Sequence, residues 1–401
     1  MTIRFLILGA GLLAGLLPSR PATAQLHRDP SLLKVIDTSL TIACAQYKYL
    51  GANTPAGALP RSYQDGKWVT SDPGWWTSGF FPGILVQLYT VCHDTALKGE
   101  ALRRMQLLAP EQYNKGTHDL GFMMFCSYGN DLLLLGDTSA AGVLMNSARS
   151  LSTRFNPKVG CIRSWDNKRW QYPVIIDNMM NLELLLWATA HSGDSSFYHI
   201  AVAHANTTLR NHFRPDHSSY HVVDYDSTTG AVRARVTAQG FADSSAWARG
   251  QSWGLYGYTM MYRGTRDRRY LVQANQIARY LLSRLPADKI PFWDYDDPQI
   301  PNTYRDASAA AVLASALIEL SRYVPITVGR TYLGVAETIL RTLCSPAYRA
   351  APGENGGFLL RHSVGHLPGH SEVDVPLLYA DYYFVEAMLR YRAIAGKRNL
   401  P

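Results

Sequence analysis

The sequence predicts an all-α protein, an (α/α)6 barrel of six inner and six outer helices. Three observations carry that reading. The hydrophobic periodicity is helical through almost the whole chain. The helical segments are of two kinds, and the two kinds alternate. Small residues recur in the more apolar segments, where close contacts between helices need them. A helix apolar on every side is buried and an amphipathic one lies outside it, so six of each in alternation describe a ring within a ring. The runner-up is an irregular α-solenoid.

Candidate helices run near 31–51, 76–90, 97–110, 120–135, 138–154, 177–191, 196–212, 246–262, 267–284, 306–320, 328–345 and 374–391. The even members are apolar nearly all round, as in Asn178 to Trp187 and Ala307 to Ala316. The odd members carry charge on one face, as in Arg268 to Arg284. Gly79 and Gly83 in one inner helix, and Gly250, Gly254 and Gly257 in another, permit tight inner contacts. Inner starts near 76, 120, 177, 246, 306 and 374 are too unevenly spaced for a solenoid repeat and imply long loops. A β-hairpin is expected at 220–236, where two alternating runs flank Ser227-Thr-Thr-Gly230.

The first 24 residues read as an export signal. Arg4 supplies the positive start, Phe5 to Leu17 the apolar run, and Ala22-Thr23-Ala24 a small-residue cleavage site. No Cys follows the cut, so no lipid anchor is expected, and the protein is placed in the periplasm or outside the cell. Gly9-Ala10-Gly11-Leu12-Leu13-Ala14 nearly matches a dinucleotide fingerprint, but no βαβ unit surrounds it. The remainder, 25–401, shows no linker and is expected to form one catalytic domain.

Hydrophobic content of 47 % with 17 % charged residues excludes a disordered chain. Beyond the leader no apolar run approaches the roughly 20 residues that span a bilayer. Without Arg4 and Arg20, 37 basic residues face 31 acidic ones, a charge of +6. That balance suits an acidic ligand or a mildly basic surface equally. No basic stripe with interleaved aromatics points to nucleic acid. Cys44, Cys92, Cys126, Cys161 and Cys344 form no CxxC pair, so zinc and redox motifs are absent; one disulfide is conceivable but not assignable. Asp294, Asp296 and Asp297 lack the Gly and Glu of a calcium loop. No HExxH, G-x-S-x-G or P-loop occurs, and neither a metal nor a cofactor is expected.

Four segments near the starts of inner helices carry chemistry. In Trp75-Trp76-Thr-Ser-Gly79, two tryptophans suit stacking on a sugar's apolar face, or core packing. In His118-Asp119-Leu-Gly-Phe122, Asp119 suits a helix cap or a second acid. Asp177, in Ile175-Ile-Asp-Asn-Met-Met-Asn181, suits a cap too. A carboxyl among Ile and Met is also desolvated, which raises its pKa toward that of a proton donor at neutral pH; the helix dipole opposes this. The fourth segment runs from Gln239 to Gly254, with Asp243 or Ser244 as its expected cap. There Arg249 and Trp253 share a face, and a buried Arg demands something anionic, an ion-pair partner or a ligand.

These segments resemble the unsaturated glucuronyl hydrolases, glycoside hydrolase family 88. The matching stretches are Trp76-Thr-Ser-Gly-Phe, His118-Asp-Leu-Gly-Phe, Asp177-Asn-Met-Met-Asn-Leu-Glu, Gln239 to Trp253 and Ser371 to Tyr383. The likeness runs from about residue 30 to 392, and the family's barrel agrees with the helix count. It implies removal of the 4,5-unsaturated uronic acid that polysaccharide lyases leave at a non-reducing end, by hydration of the enol ether instead of attack at the anomeric carbon. By carry-over Asp177 protonates C4 and then assists water at C5, with Asp119 as its partner. Trp76, His118, His221, Gln239, Trp247, Arg249 and Trp253 match positions around the unsaturated sugar. Trp165 resembles the stacking residue for the next sugar. The loop His362-Ser363-Val-Gly-His366 lies where relatives contact that sugar and any sulfate, and the lysine some sulfate-accepting relatives carry there is not evident. The expected partner is an acidic unsaturated oligosaccharide, probed best among glycosaminoglycan fragments. Pectin-derived rhamnogalacturonyl or ulvan fragments are the alternatives. A sugar epimerase would need paired histidines, for which His118 and His221 are the candidates, and a non-catalytic binding protein would dispense with the acids.

Overall fold

Tight returns at one end of the molecule and long connections at the other set its shape. Four helices end in a left-handed residue followed at once by aspartate: His93-Asp94, Gly136-Asp137, Gly193-Asp194 and Arg266-Asp267, with φ between 54° and 77° at the first position. Asp94, Asp194 and Asp267 then cap the next helix through Ala96, Ser196 and Arg269 N–H. Each such cap contributes about 1 kcal/mol. The chain therefore turns back within two residues after the second, sixth and eighth helices, and within four or five after the fourth and tenth.

The computed structural model describes residues 29–394 and Gly396. The expected leader, 1–24, lies outside them. Among the described residues twelve helices follow in order: Pro30–Asn53, Phe80–Cys92, Thr95–Leu108, Gly121–Gly129 continued by Asp131–Leu135, Ala140–Ser152, Leu182–Ser192, Ser195–Asn211, Ala248–Thr265, Arg268–Arg284, Ala307–Leu320, Ile326–Leu343 and Leu378–Ile394. The even ones form a closed ring, the second touching the fourth and so on to the twelfth, which returns to the second. Each odd helix packs outside an even neighbour. The fold is the (α/α)6 barrel that the alternation predicts. Every residue of Ala307–Leu320 is buried, whereas Arg268–Arg284 buries a single face.

Close approach of the inner helices depends on glycine. A Cβ on Gly79 would overlap the Met123 carbonyl, and one on Gly83 the Cys126 carbonyl. The fourth helix is wound wide, as a π-helix. Near its start the aromatic rings of Trp76, Phe80, Phe122, Trp253, Tyr379 and Tyr383 interlock with centroids 4.9–6.2 Å apart. Elsewhere in the ring Arg263 pairs with Glu183 and Glu319, and Arg390 with Glu319 and Glu386. That network joins the sixth, eighth, tenth and twelfth helices.

Four boundaries differ from expectation. The second helix starts at Phe80, so Trp76 lies in the preceding turn. Residues Ile176–Asn181 form a 3-10 turn before the sixth helix, and Asp177 caps nothing. The eighth helix begins after Trp247 without a side-chain cap, and Asp243 instead accepts the Thr237 N–H. The last helix starts at Leu378 because Ser371–Val375 pairs as a strand with Ser363–His366. The expected hairpin is present as Val222–Tyr225 against Val232–Val236, with Pro173–Ile175 added as a third strand. All five cysteines are free thiols. No helix among the described residues is long and apolar enough to cross a membrane.

Candidate active site

Inner helices of such a ring run parallel, so the outer-to-inner connections all meet at one end. They bring Asp119, Asp177, the strands and both expected histidines to a single mouth. The side chains of Asp177 and Asp119 are 12 % and 14 % exposed, desolvated yet reachable from outside. Burial pushes both carboxyls up to about 7. For Asp177 the Arg249 charge opposes that rise and the charge of Asp119 adds to it. The Asp177 Oδ2 has no hydrogen-bond partner among the described residues. Asp119 faces the Nδ2 of Asn181 and the hydroxyl of Thr117, each at 3.5 Å.

Two neutral histidines flank the acids in opposite tautomers. His221 accepts the backbone N–H groups of Ala238 and Gln239 at Nδ1, both at 3.1 Å. Its proton therefore sits on Nε2, which stands 3.8 Å from Asp177 Oδ2. His118 donates from Nδ1 to the Ser164 carbonyl at 2.7 Å, which leaves a lone pair on Nε2, 3.2 Å from Asp119 Oδ1. Burial holds His221 well below the usual histidine range, and His118 at about 3.

Tryptophans wall the site. Trp247 is buried with its ring 4.6 Å from that of His221. Trp253 is wholly buried between Phe122 and Tyr383, and its indole N–H favours the ionised form of Asp177. Trp76 is half-buried with Tyr379 at 4.9 Å, and Trp75 is exposed beneath the Arg61 guanidinium at 4.4 Å. Trp165 stands edge-on to His221 at 6.0 Å.

Arg249 meets an ion-pair partner. Its guanidinium lies 3.5 Å from Asp306 and donates to the carbonyls of Val364 and Gly365. Gln239 donates to the same Gly365 carbonyl at 3.1 Å. Both residues thus hold the 363–375 hairpin over the mouth, with Ser363 buried and its hydroxyl unpartnered. Asp306 caps the tenth helix through the Ser308 N–H and is also the counter-ion of Arg249. Of the hairpin histidines, His362 is tied to Asp374 at 2.7 Å and His366 to the Ala238 carbonyl at 2.9 Å.

Sequence reasoning overlooked Asn181, Ser164 and Tyr379. Asn181 accepts the Phe122 N–H at 2.9 Å and so links the helix after Asp119 to the turn of Asp177. Its place four residues after Asp177 was the available signal. Tyr379 is buried beneath Trp76, with its hydroxyl unpartnered. Among the described residues no group of three or more His, Cys, Asp or Glu side chains is arranged to hold a metal ion.

Comparison with known proteins decides the family. No family model matches the chain. The chain is 47 % identical over 320 residues to an unsaturated glucuronyl hydrolase of Formosa agariphila, covering 79 % of each. It is 33 % identical over 339 residues to the enzyme of that name from Bacillus sp. (strain GL1), covering 82 % of this chain and 90 % of the relative. The chain belongs to the unsaturated glucuronyl hydrolases. A crystal structure of a family member specific for heparin superposes with a TM-score of 0.88 at 48 % identity, over 92 % of this chain and 99 % of that one. The Bacillus structure superposes at 0.84 and 30 % identity, over 88 % and 96 %. Unsaturated glucuronyl hydrolases are glycosidases, and this chain is an enzyme of that class.

Proposed function

We propose that this enzyme removes the terminal 4,5-unsaturated uronic acid from lyase-generated oligosaccharides by hydrating the C4=C5 bond, with Asp177 as general acid and then general base. The single observation behind this reading is a desolvated Asp177 carboxyl, poised near neutral pH with Oδ2 unpartnered beside the Nε2–H of His221. An enol ether needs a proton at C4 before water adds at C5. A carboxyl near pKa 7 both holds that proton at neutral pH and releases it to carbon. The carboxylate left behind takes a proton from the attacking water. The hemiketal formed at C5 opens and frees the remaining saccharide. General acid–base help of this kind is worth about 10²–10⁴-fold.

Asp119 supports the proton on Asp177 by its charge and accepts sugar hydroxyls. His118, with a lone pair on Nε2, accepts a hydrogen bond from a sugar hydroxyl, and His221 donates one from its Nε2–H. Trp76 and Trp165 supply flat apolar faces, Trp247 and Trp253, both buried, back His221 and Asp177 from beneath, and Arg249 and Gln239 set the hairpin that carries Ser363.

Glycosaminoglycan fragments are the favoured substrates, since similar proteins are named as specific for heparin or as unsaturated chondroitin disaccharide hydrolases. Export to the periplasm is supported by the leader at 1–24. The double bond arises only by β-elimination, so the enzyme acts downstream of a lyase. Incubation of lyase-derived disaccharides in deuterium oxide tests the chemistry. A uronate product carrying one deuterium at C4 is expected. Cleavage with the double bond intact would overturn the hydration step.

A further inference from the structure

Two of the five thiols share one acceptor. Cys44, on the first helix, donates from Sγ to the Leu88 carbonyl at 3.8 Å. Cys92, the last residue of the second helix, donates to the same oxygen at 3.3 Å. The two thiols also face each other closely enough to hydrogen-bond. The same stretches of chain meet again one turn further on, where the Lys48 ammonium lies 2.7 Å from the Asp94 carboxylate. All four residues stand at the return of His93-Asp94, the end of the barrel opposite the mouth.

The other three thiols have separate surroundings. Cys344 is hydrogen-bonded to Ser39, Cys161 to the His204 carbonyl at 4.0 Å and Cys126 to Tyr382. Cys44 and Cys92 also differ from each other, the first buried and the second exposed. Burial, and then the neighbouring Cys92, push the Cys44 thiol well above the usual cysteine range, and the Lys48 charge opposes them. A reagent from solution therefore meets Cys92 first, and Cys44 stands behind it as the resolving thiol.

We propose that Cys44 and Cys92 form a thiol–disulfide site, whose oxidised form ties the first, outer helix to the second, inner one. The oxidant is itself a disulfide, small or carried by an oxidoreductase, the couple that exported chains meet. The Cys92 thiolate attacks one of its sulfurs, a mixed disulfide forms and one thiolate leaves. The Cys44 thiolate then attacks Cys92 Sγ and the second thiolate leaves. The two protons shed by the cysteines end on the two released thiols, so two cysteines are oxidised and one disulfide is reduced. The bond closes the chain from 44 to 92, a stretch holding Trp76 and the hairpin of Leu59–Gln64 with Lys67–Ser71. Such a closure stabilises mainly by restricting the unfolded chain. The site is independent of which sugar the enzyme cleaves.

The test treats the folded, reduced protein with glutathione disulfide, quenches it in acid and alkylates the remaining thiols. The expected product has lost the mass of two hydrogens and keeps three of its five alkylatable thiols. Its tryptic peptides 35–48 and 68–98 should stay joined until reductant is added. A glutathione adduct on Cys92 should appear first and decay as the bond closes. The oxidised form should melt about 3–5 °C above the reduced one. Cys92→Ser, a change at an exposed position, should show no such shift. An adduct that persists on Cys92 while Cys44 stays alkylatable would overturn the site. Five thiols still free, or a bond to any other cysteine, would overturn it too. A linked form that melts no higher than the reduced one would remove its role as a tie.

Discussion

The Nε2 of His221 stands 3.8 Å from Oδ2 of Asp177, close enough to be felt and too far for a hydrogen bond. Two backbone N–H groups lock the ring so that its remaining proton points at the carboxyl. His221 thus gives Asp177 no fixed donor, and burial, aided by the charge of Asp119, outweighs Arg249 and the Trp253 N–H and pushes the carboxyl up to about 7. A hydrogen bond 1 Å shorter would favour the carboxylate and remove the proton that the reaction needs.

Stability follows from the same shift. Below pH about 4 both folded and unfolded chains hold the Asp177 proton. Between about 4 and 7 the unfolded chain has lost it and the folded one retains it, so folding costs more as pH rises through this window. Asp177→Asn escapes that penalty. Its melting temperature should match wild type near pH 4, exceed it increasingly up to pH 7, and then level off. A constant offset across the range would contradict the shift.

Arg249→Leu should destabilise the protein by about 3–5 kcal/mol, because it leaves Asp306 buried without its counter-ion. The hairpin carbonyls of Val364 and Gly365 lose their donor as well. Urea unfolding measures this, and replacing both Arg249 and Asp306 with apolar residues should recover much of the loss. An unchanged unfolding midpoint in the single variant would mean that the pair carries no structural weight.

Two glycines in different settings should respond with opposite signs. Gly79→Ala drives a methyl into the Met123 carbonyl and forces the second and fourth helices apart, a cost of about 1–3 kcal/mol. Gly99→Ala sits in the outer helix Thr95–Leu108, where a Cβ meets only the Arg103 side chain at 3.6 Å. It should stabilise by about 0.4–1 kcal/mol. Thermal unfolding of the two variants side by side checks the inner and outer assignment directly.

The ring was legible because alternation of buried and amphipathic helices is a property of composition, and six pairs leave few ways to close. The placement of Asp119 and Asp177 near the starts of inner helices was legible from their motifs, whereas His221 was singled out only by the family resemblance. The αL-aspartate returns, such as Gly193-Asp194, were present in the sequence but short enough to pass as ordinary loop. The start of the last helix was misplaced because Ser371 to Val375 alternates weakly, and only pairing with Ser363–His366 makes it a strand. The partner of Arg249 was hidden for a different reason. Asp306 lies 57 residues away, and a residue that caps its own helix gives no sign that its second oxygen serves another.

The central claim is that Asp177 protonates a conjugated double bond, and the bond's ultraviolet absorbance reports it directly. Disaccharides from chondroitin, heparin, hyaluronan, pectin and ulvan lyases would each be followed with wild type and with folded Asp177→Asn. Wild type should abolish the absorbance of at least one glycosaminoglycan product, with Asp177→Asn slower by about 10²–10⁴-fold. Steady absorbance on every substrate, or a fully active Asp177→Asn, would contradict the account.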